Sequence, residues 1–130
     1  MERLRNCEFI IDIEMIENIS GADQYFEVIF STTDKKKHKF IFKFVWDMRY
    51  AIENASIDRF CEFRKRLPEG IIDNGVYVVE DSDYIKYFEH QVSLTRPVDE
   101  LTHYILCDRV DTTLDILVCK NKPVLVPLDS

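Results

Sequence analysis

The stretch that decides the fold runs from residue 39 to residue 67 and reads KFIFKFVW followed by DMRYAIENASIDRFCEFRKRL. Its first part carries aromatic residues at every second position: Phe40, Phe42, Phe44 and Trp46. Because successive side chains of a strand point to opposite faces, this spacing predicts a strand over residues 37–46 with one aromatic face. In the second part, apolar residues recur at steps of three and four over residues 48–67, which predicts an amphipathic helix. We expect that helix to fold back and cover the aromatic strand.

Patterns elsewhere in the chain predict further strands and a second helix. The remaining predicted strands are residues 8–19, 24–31, 76–80, 101–107 and 114–119, with a short edge strand at 124–128. The first two of these should form an antiparallel meander with the aromatic strand, since the connecting turns are short. Residues 81–92 predict the second helix, with Asp81 or Ser82 as its N-terminal cap.

The resulting order, β-β-β-α-β-α-β-β, predicts an α+β fold with one antiparallel or mixed sheet of about six strands and two helices packed on one face. At 130 residues, the chain is expected to form a single domain, residues 1–130. The outward faces of the early strands carry several apolar residues: Ile10, Ile16, Ile29, Ile41 and Val45. The C-terminal strands or the long side chains of Lys and Glu could cover these residues. Another chain could cover them instead, so a homodimer is an alternative.

The charge balance is acidic, with 24 Asp and Glu against 17 Lys and Arg, a net charge of −7. Phosphates repel such a surface, so we expect neither direct nucleic-acid binding nor attachment to an anionic membrane. A basic protein partner is compatible with this charge, although acidity also serves solubility alone. No segment approaches the length of a membrane span and no signal peptide is evident, so the sequence predicts a cytoplasmic protein.

Motifs for catalysis, metals and cofactors are missing from the sequence. The four cysteines, Cys7, Cys61, Cys107 and Cys119, form no C-x-x-C pair and fit buried thiols in a reducing compartment. No nucleophile elbow or phosphate-binding glycine loop occurs, so we expect no enzyme, no metal and no cofactor. A less favoured alternative is an acid–base pair of His90 and His103, assisted by Tyr84 or Tyr104.

Three segments resemble small bacterial immunity proteins, the antidotes of contact-dependent and related polymorphic toxin systems. They are WDMRYAIENA at 46–55, VYVVEDSDYIKYF at 76–88 and TRPVDELTHY at 95–104, so the resemblance covers the chain from Trp46 onward. It implies tight binding of a cognate secreted toxin domain, often a basic nuclease, whose active site is occluded. It also implies that the protein acts stoichiometrically, and some proteins of this kind are dimers.

Acidic residues at the ends of the predicted elements are the candidate contacts for such a partner. If these ends share one edge of the sheet, their carboxylates form a negative patch, although solvated loops often carry acids too. Exposed tyrosines beside the patch could act as buried anchors in a complex. The expected partner-binding residues are Glu80, Asp81, Asp83, Tyr84, Tyr87, Asp99, Glu100, Asp108 and Asp111. The alternatives are a binding or regulatory module with a different partner, or the histidine-dependent enzyme.

Overall fold

The computed structural model describes residues 2–52, 75–92, 100–110 and 112–128. These residues form nine strands: β1 (Arg3–Asn6), β2 (Ile13–Ala22), β3 (Tyr25–Thr32), β4 (Lys37–Lys43), β5 (Val45–Ile52), β6 (Val76–Glu80), β7 (Leu101–Cys107), β8 (Thr112–Cys119) and β9 (Val124–Leu128). They also form one helix, α1 (Asp83–Val92). Sheet A has the strand order β1-β6-β7-β8-β5 and sheet B the order β2-β3-β4-β9. Neighbouring strands are antiparallel throughout both sheets.

The two sheets share one hydrophobic core. Phe30, Phe40 and Phe42 of sheet B are completely buried there, together with inward-facing aliphatic residues of β6, β7 and β8. The ring centroids of Phe30 and Phe40 lie 5.3 Å apart, and those of Phe42 and Tyr104 lie 6.1 Å apart across the sheets. Such spacings are typical of favourable aromatic pairs. The protein is therefore a β-sandwich in its described part.

The predicted α+β fold is wrong. Within the described ranges there are nine strands in two antiparallel sheets and a single helix, where six strands and two helices were expected. The first predicted helix already fails at its beginning, because residues 48–52 belong to β5 and pair with β8 from Asp47↔Leu117 to Ile52↔Thr112. The apolar positions Met48 and Ile52 fit a helical step of four, but they also fit a strand period of two. Pairing with β8 decides between these periods; residues 53–67 of the predicted helix lie outside the described residues.

The aromatic strand is interrupted at Phe44, where the chain passes from sheet B to sheet A. Phe44 has a φ of 57°, a left-handed conformation that bulky residues rarely adopt, and its side chain is 51% exposed. Its carbonyl accepts a hydrogen bond from Cys119 N–H, and Val45 N–H donates to the Gln24 carbonyl. The prediction of buried aromatics thus holds for Phe40 and Phe42 but not for Phe44. Their cover is sheet A and not a helix.

Irregularities in β2 change which of its side chains face the core. The register with β3 shifts between Ile13 and Met15 and again between Ile16 and Asn18. Because each extra residue reverses the alternation, Ile13 and Ile16 contact the core while Met15 is 43% exposed. Val45 is also buried in the core. The outward apolar surface expected from the sequence is therefore smaller than predicted.

Several predicted elements are confirmed. The meander β2-β3-β4 forms as expected, β7 and the edge strand β9 match their predicted bounds, and α1 begins after its predicted cap, Ser82. The sequence did not reveal β1, which pairs with β6 from Arg3↔Glu80 to Asn6↔Tyr77. The second face of sheet A is buried as well, partly through α1, whose residues pack with Leu101 and Leu117.

Replacing Phe40 with alanine should lower the free energy of unfolding by about 3–5 kcal/mol, because it removes a completely buried ring from between the sheets. Phe44→Ala removes the same ring from an exposed position and should change stability by less than about 1 kcal/mol. Urea denaturation followed by circular dichroism measures both values. Equal losses for the two variants would contradict the assignment of the core.

Candidate functional site

The candidate site is built on the turn that joins β6 to α1. Asp81 adopts a left-handed φ of 54°, and Ser82 caps the helix by accepting a hydrogen bond from Ile85 N–H at 3.1 Å. Asp83 opens the first turn, where a carboxylate is favoured by the helix dipole. The short polar sequence EDSD thus ends the strand, caps the helix and presents its acids at one end of sheet A.

Acidic residues at this end of sheet A outnumber their cationic partners. Glu2 joins the three predicted acids because its Oε2 accepts from Asp83 N–H at 2.9 Å. We call the four residues Glu2, Glu80, Asp81 and Asp83 the acidic cluster. Among the described residues, the cations that contact it include Arg5, which lies 3.7 Å from Glu80, and Lys86, which lies 2.6 Å from Asp81 and 3.9 Å from Asp83. The four carboxylates exceed these cations in number, and the N-terminal ammonium, which also lowers the pKa of Asp81, reduces the excess of negative charge.

Lys86 lowers the pKa of Asp81 to about 2, mainly through its hydrogen bond to the carboxylate. Asp81 is therefore ionised throughout the physiological range. Glu100 comes to the same end of sheet A, next to the first residue of β7, and its Oε1 lies 2.7 Å from Lys120 Nζ. The structure therefore brings together Glu80, Asp81, Asp83 and Glu100 of the predicted site.

Asp108 lies at the opposite end of β7, separated from Glu100 by the seven residues of that strand, roughly 24 Å. Its carboxylate accepts hydrogen bonds from the N–H groups of Ile16, Val110 and Thr112, and the residue is only 9% exposed. It ties the β7–β8 hairpin to β2 and contributes little to any surface. Asp99 and Asp111, the other predicted acids, lie outside the described residues.

The two predicted tyrosines differ in their environment. Tyr84 is buried, donates its hydroxyl to Asp47 Oδ2 at 2.8 Å, and has a pKa raised well above its ordinary value by burial. Tyr87 is 57% exposed. The guanidinium of Arg49 lies 3.9 Å from the centre of the Tyr84 ring and 5.4 Å from that of Tyr87, within cation–π range. Tyr87 and Arg49 are thus the exposed contacts on this face, and sequence reasoning did not single out Arg49.

Beneath α1, a buried chain of hydrogen bonds connects the helix to sheet A. Ser82 Oγ lies 2.7 Å from His103 Nδ1, and His103 Nε2 lies 2.6 Å from Asp115 Oδ1. All three residues are at most 5% exposed. Because Ser82 Oγ already accepts from Ile85 N–H, every atom is satisfied when its hydroxyl donates to Nδ1 and Nε2–H donates to Asp115.

A serine, a histidine and an aspartate in contact invite comparison with a catalytic triad, but this arrangement differs from one in two ways. In a triad the serine is exposed to substrate and the aspartate orients Nδ1. Here Ser82 is a buried helix cap, and the aspartate bonds Nε2. Both nitrogens of His103 are occupied, so the imidazole positions α1 on the sheet. The side chain of His90, its proposed catalytic partner, is not described.

A cleft of about 310 Å³, which was not predicted from the sequence, lies near β1 and the β8–β9 connection. Its lining includes Arg5, Lys120 and Lys122, and burial raises the pKa of Tyr104 in its wall to about 12. The only signal was KNK at 120–122, which looks like an ordinary turn. Glu80 and Glu100 pair with Arg5 and Lys120, so the acids of the candidate site neutralise two of these cations.

In the described part of the chain, no group of three or more His, Cys, Asp or Glu residues is placed to hold a metal ion. Among the same residues, no helix has both the length and the apolar character that crossing a bilayer requires. Cys7, Cys107 and Cys119 are present as thiols.

Comparison with known proteins adds no relative: no family model, no curated protein and no solved structure matches the chain.

Asp115→Ala should destabilise the protein by about 1–3 kcal/mol, because it leaves His103 Nε2–H buried without an acceptor. Asp115→Asn keeps an acceptor oxygen near His103 Nε2–H and should therefore lose less stability than Asp115→Ala. Chemical denaturation of both variants tests the role of this hydrogen-bond chain. An alanine variant as stable as the asparagine variant would contradict it.

Lys86→Ala should raise the pKa of Asp81 from about 2 towards the ordinary value of about 4. Because the folded-state pKa is depressed, the stabilisation by this ion pair is present above about pH 4 and is lost as the pH falls through 2. Carboxyl-carbon NMR titration measures the shift. Lys122→Ala, in the β8–β9 connection, is the control and should leave the Asp81 titration unchanged.

Proposed function

We propose that this protein is an immunity protein that binds a cognate secreted toxin domain, a nuclease, and neutralises it by occluding its basic active site. It acts by stoichiometric binding in the cytoplasm of the cell that makes it. The observation that carries the proposal is the acidic cluster, together with the exposed ring of Tyr87 on the adjoining helix.

The charge of the acidic cluster suits a cationic partner in two respects. Nuclease active sites bind phosphates through lysine and arginine, and carboxylates on a second protein can occupy the same cations. The net charge of −7 attracts such a domain at long range, which raises the association rate at low salt. Asp81 stays ionised down to about pH 2, so protonation does not weaken the interaction at neutral pH.

The exposed ring of Tyr87 adds buried contact area, which the attraction between charges does not provide. Tyrosine and arginine are enriched at the energetic centres of protein interfaces, because both bury large areas and keep a polar group for hydrogen bonding. Tyr87 is exposed. The guanidinium of Arg49 lies over the rings of Tyr84 and Tyr87 and thereby restrains the Tyr87 side chain. Tyr84 supports this face from below through its bond to Asp47. We therefore assign the direct contact to Tyr87 and a supporting role to Tyr84.

A partner other than a toxin would use the same surface, since charge and exposed aromatics do not specify the partner's activity. The gene neighbourhood distinguishes the two cases, because immunity genes accompany the gene of a large secreted toxin. The toxin domain encoded beside the gene is also the natural ligand for the decisive assay.

At a 1:1 ratio the protein should abolish cleavage of RNA or DNA by that toxin domain, and the two should elute together in gel filtration. Undiminished cleavage with separate elution would refute the proposed function.

Asp81→Asn/Asp83→Asn removes two charges from the acidic cluster and should lower the association rate with the toxin about tenfold or more at low salt. Glu14→Gln/Asp34→Asn removes the same charge from β2 and the β3–β4 turn and should have a much smaller effect. Tyr87→Ala should raise the rate at which the toxin complex dissociates. Its control is Tyr25→Ala, because Tyr25 lies on β3 and is 40% exposed. Surface plasmon resonance at low and high salt measures all four. Equal effects of cluster and control variants would place the interface elsewhere.

A further inference from the structure

In the described part of the chain, sheets A and B have four edge strands, and three of them carry features along their length that discourage pairing with another chain. β1 has only four residues, β9 contains Pro127, and β2 has two register irregularities. Short length, proline and bulges are the usual protections of a sheet edge. β5 has one register irregularity, between Val45 and Asp47, but it contains no proline and its register with β8 is regular over the following residues, from Asp47 to Ile52.

The outer side of β5 is accessible. Tyr50 is 57% exposed and Ile52 is 44% exposed, and the side chains of Asp47 and Arg49 are also exposed. Within the described ranges, the backbone of residues 47–52 forms hydrogen bonds with β8 alone. Because β8 occupies one side of the strand only, the other side presents backbone donors and acceptors to an added strand.

We propose that β5 pairs with β5 of a second copy of this chain, antiparallel and about a two-fold axis at Met48. Asp47 and Arg49 flank Met48 on the same face and carry opposite charges. In this register Asp47 lies opposite the second copy's Arg49, and symmetry repeats the pair. The two copies of sheet A then form one continuous sheet.

The charges also select the register. If the axis moves by one residue, to Asp47 or to Arg49, two identical charges face each other directly across the new strand pair. Like charges in that position oppose pairing. Of these three neighbouring positions, only the axis at Met48 gives two attractive pairs. The inference goes beyond the proposed function and does not rest on it.

Charge reversal tests the assignment of both strand and register. Analytical ultracentrifugation at physiological salt should show a concentration-dependent dimer for the unaltered chain. Asp47→Arg or Arg49→Asp alone sets like charges opposite each other and should weaken the dimer about tenfold or more. The double variant Asp47→Arg/Arg49→Asp restores both pairs and should restore dimerisation.

The double variant is the critical control, because each substitution also disturbs the contacts with Tyr84 inside one copy. Restored dimerisation despite that disturbance isolates the attraction between copies. A monomer at all concentrations, or a dimer that the single reversals do not weaken, would overturn the proposal.

Cross-linking provides a second test that does not depend on charge. In the proposed register the two Met48 Cα atoms lie about 4.5–5.5 Å apart, a distance that a disulfide spans. Met48→Cys should therefore yield a cross-linked dimer under mild oxidation. Tyr50→Cys is the control, since its two copies lie roughly 13 Å apart along the strands. Equal cross-linking of the two variants, or none above that of the unaltered chain, would overturn the register.

Discussion

The aromatic core between the two sheets is the constraint on which the rest of the structure depends. Phe30, Phe40 and Phe42 are completely buried, and their rings contact one another and, through Tyr104, the opposite sheet. Burying a ring of this size contributes on the order of 2–3 kcal/mol. Sheet B can bury these rings only against a second sheet, and the chain passes from sheet B into that sheet at β5, one residue after β4, through Phe44. The unfavourable φ of Phe44 is offset by the core that this abrupt crossing completes.

Sheet A is buried on both faces, and its second face carries the features linked to function. The hydrogen-bond chain through Ser82, His103 and Asp115 fixes the start of α1 on this sheet, and thereby fixes the acidic cluster and Tyr87. A buried polar network of this kind orients an element more strictly than apolar contact does. Arg49 belongs to β5 and yet lies over two tyrosines of α1. The surface proposed for the toxin and the edge proposed for a second copy therefore share a residue, so binding at one can influence the other.

Sequence reasoning succeeded where the pattern had a single interpretation. The β2-β3-β4 meander, β7, β9 and α1 with its serine cap follow from alternation and from capping chemistry. It failed at Met48–Ile52, where apolar positions fit both a helix and a strand and only pairing with β8 distinguishes them. It also missed β1, whose four residues carry too little pattern to be noticed. For the site, the local acids around α1 could be predicted. The separation of Asp108, the burial of Tyr84 and the role of Arg49 depend on which strands become neighbours, and no local pattern encodes that.

The pairing of β1 with β6 has a consequence for the order in which the molecule can assemble. Arg3 meets Glu80 only after more than seventy intervening residues have been synthesised. During synthesis on the ribosome, β1 therefore cannot pair until β6 has emerged, whereas the meander of sheet B can form from neighbouring segments as they emerge. Closing so long a loop has an entropic cost and slows folding. The residues of β1 are thus among the last to join the sheet. Until they do, the backbone donors and acceptors at the edge of β6 can pair with a strand of another chain.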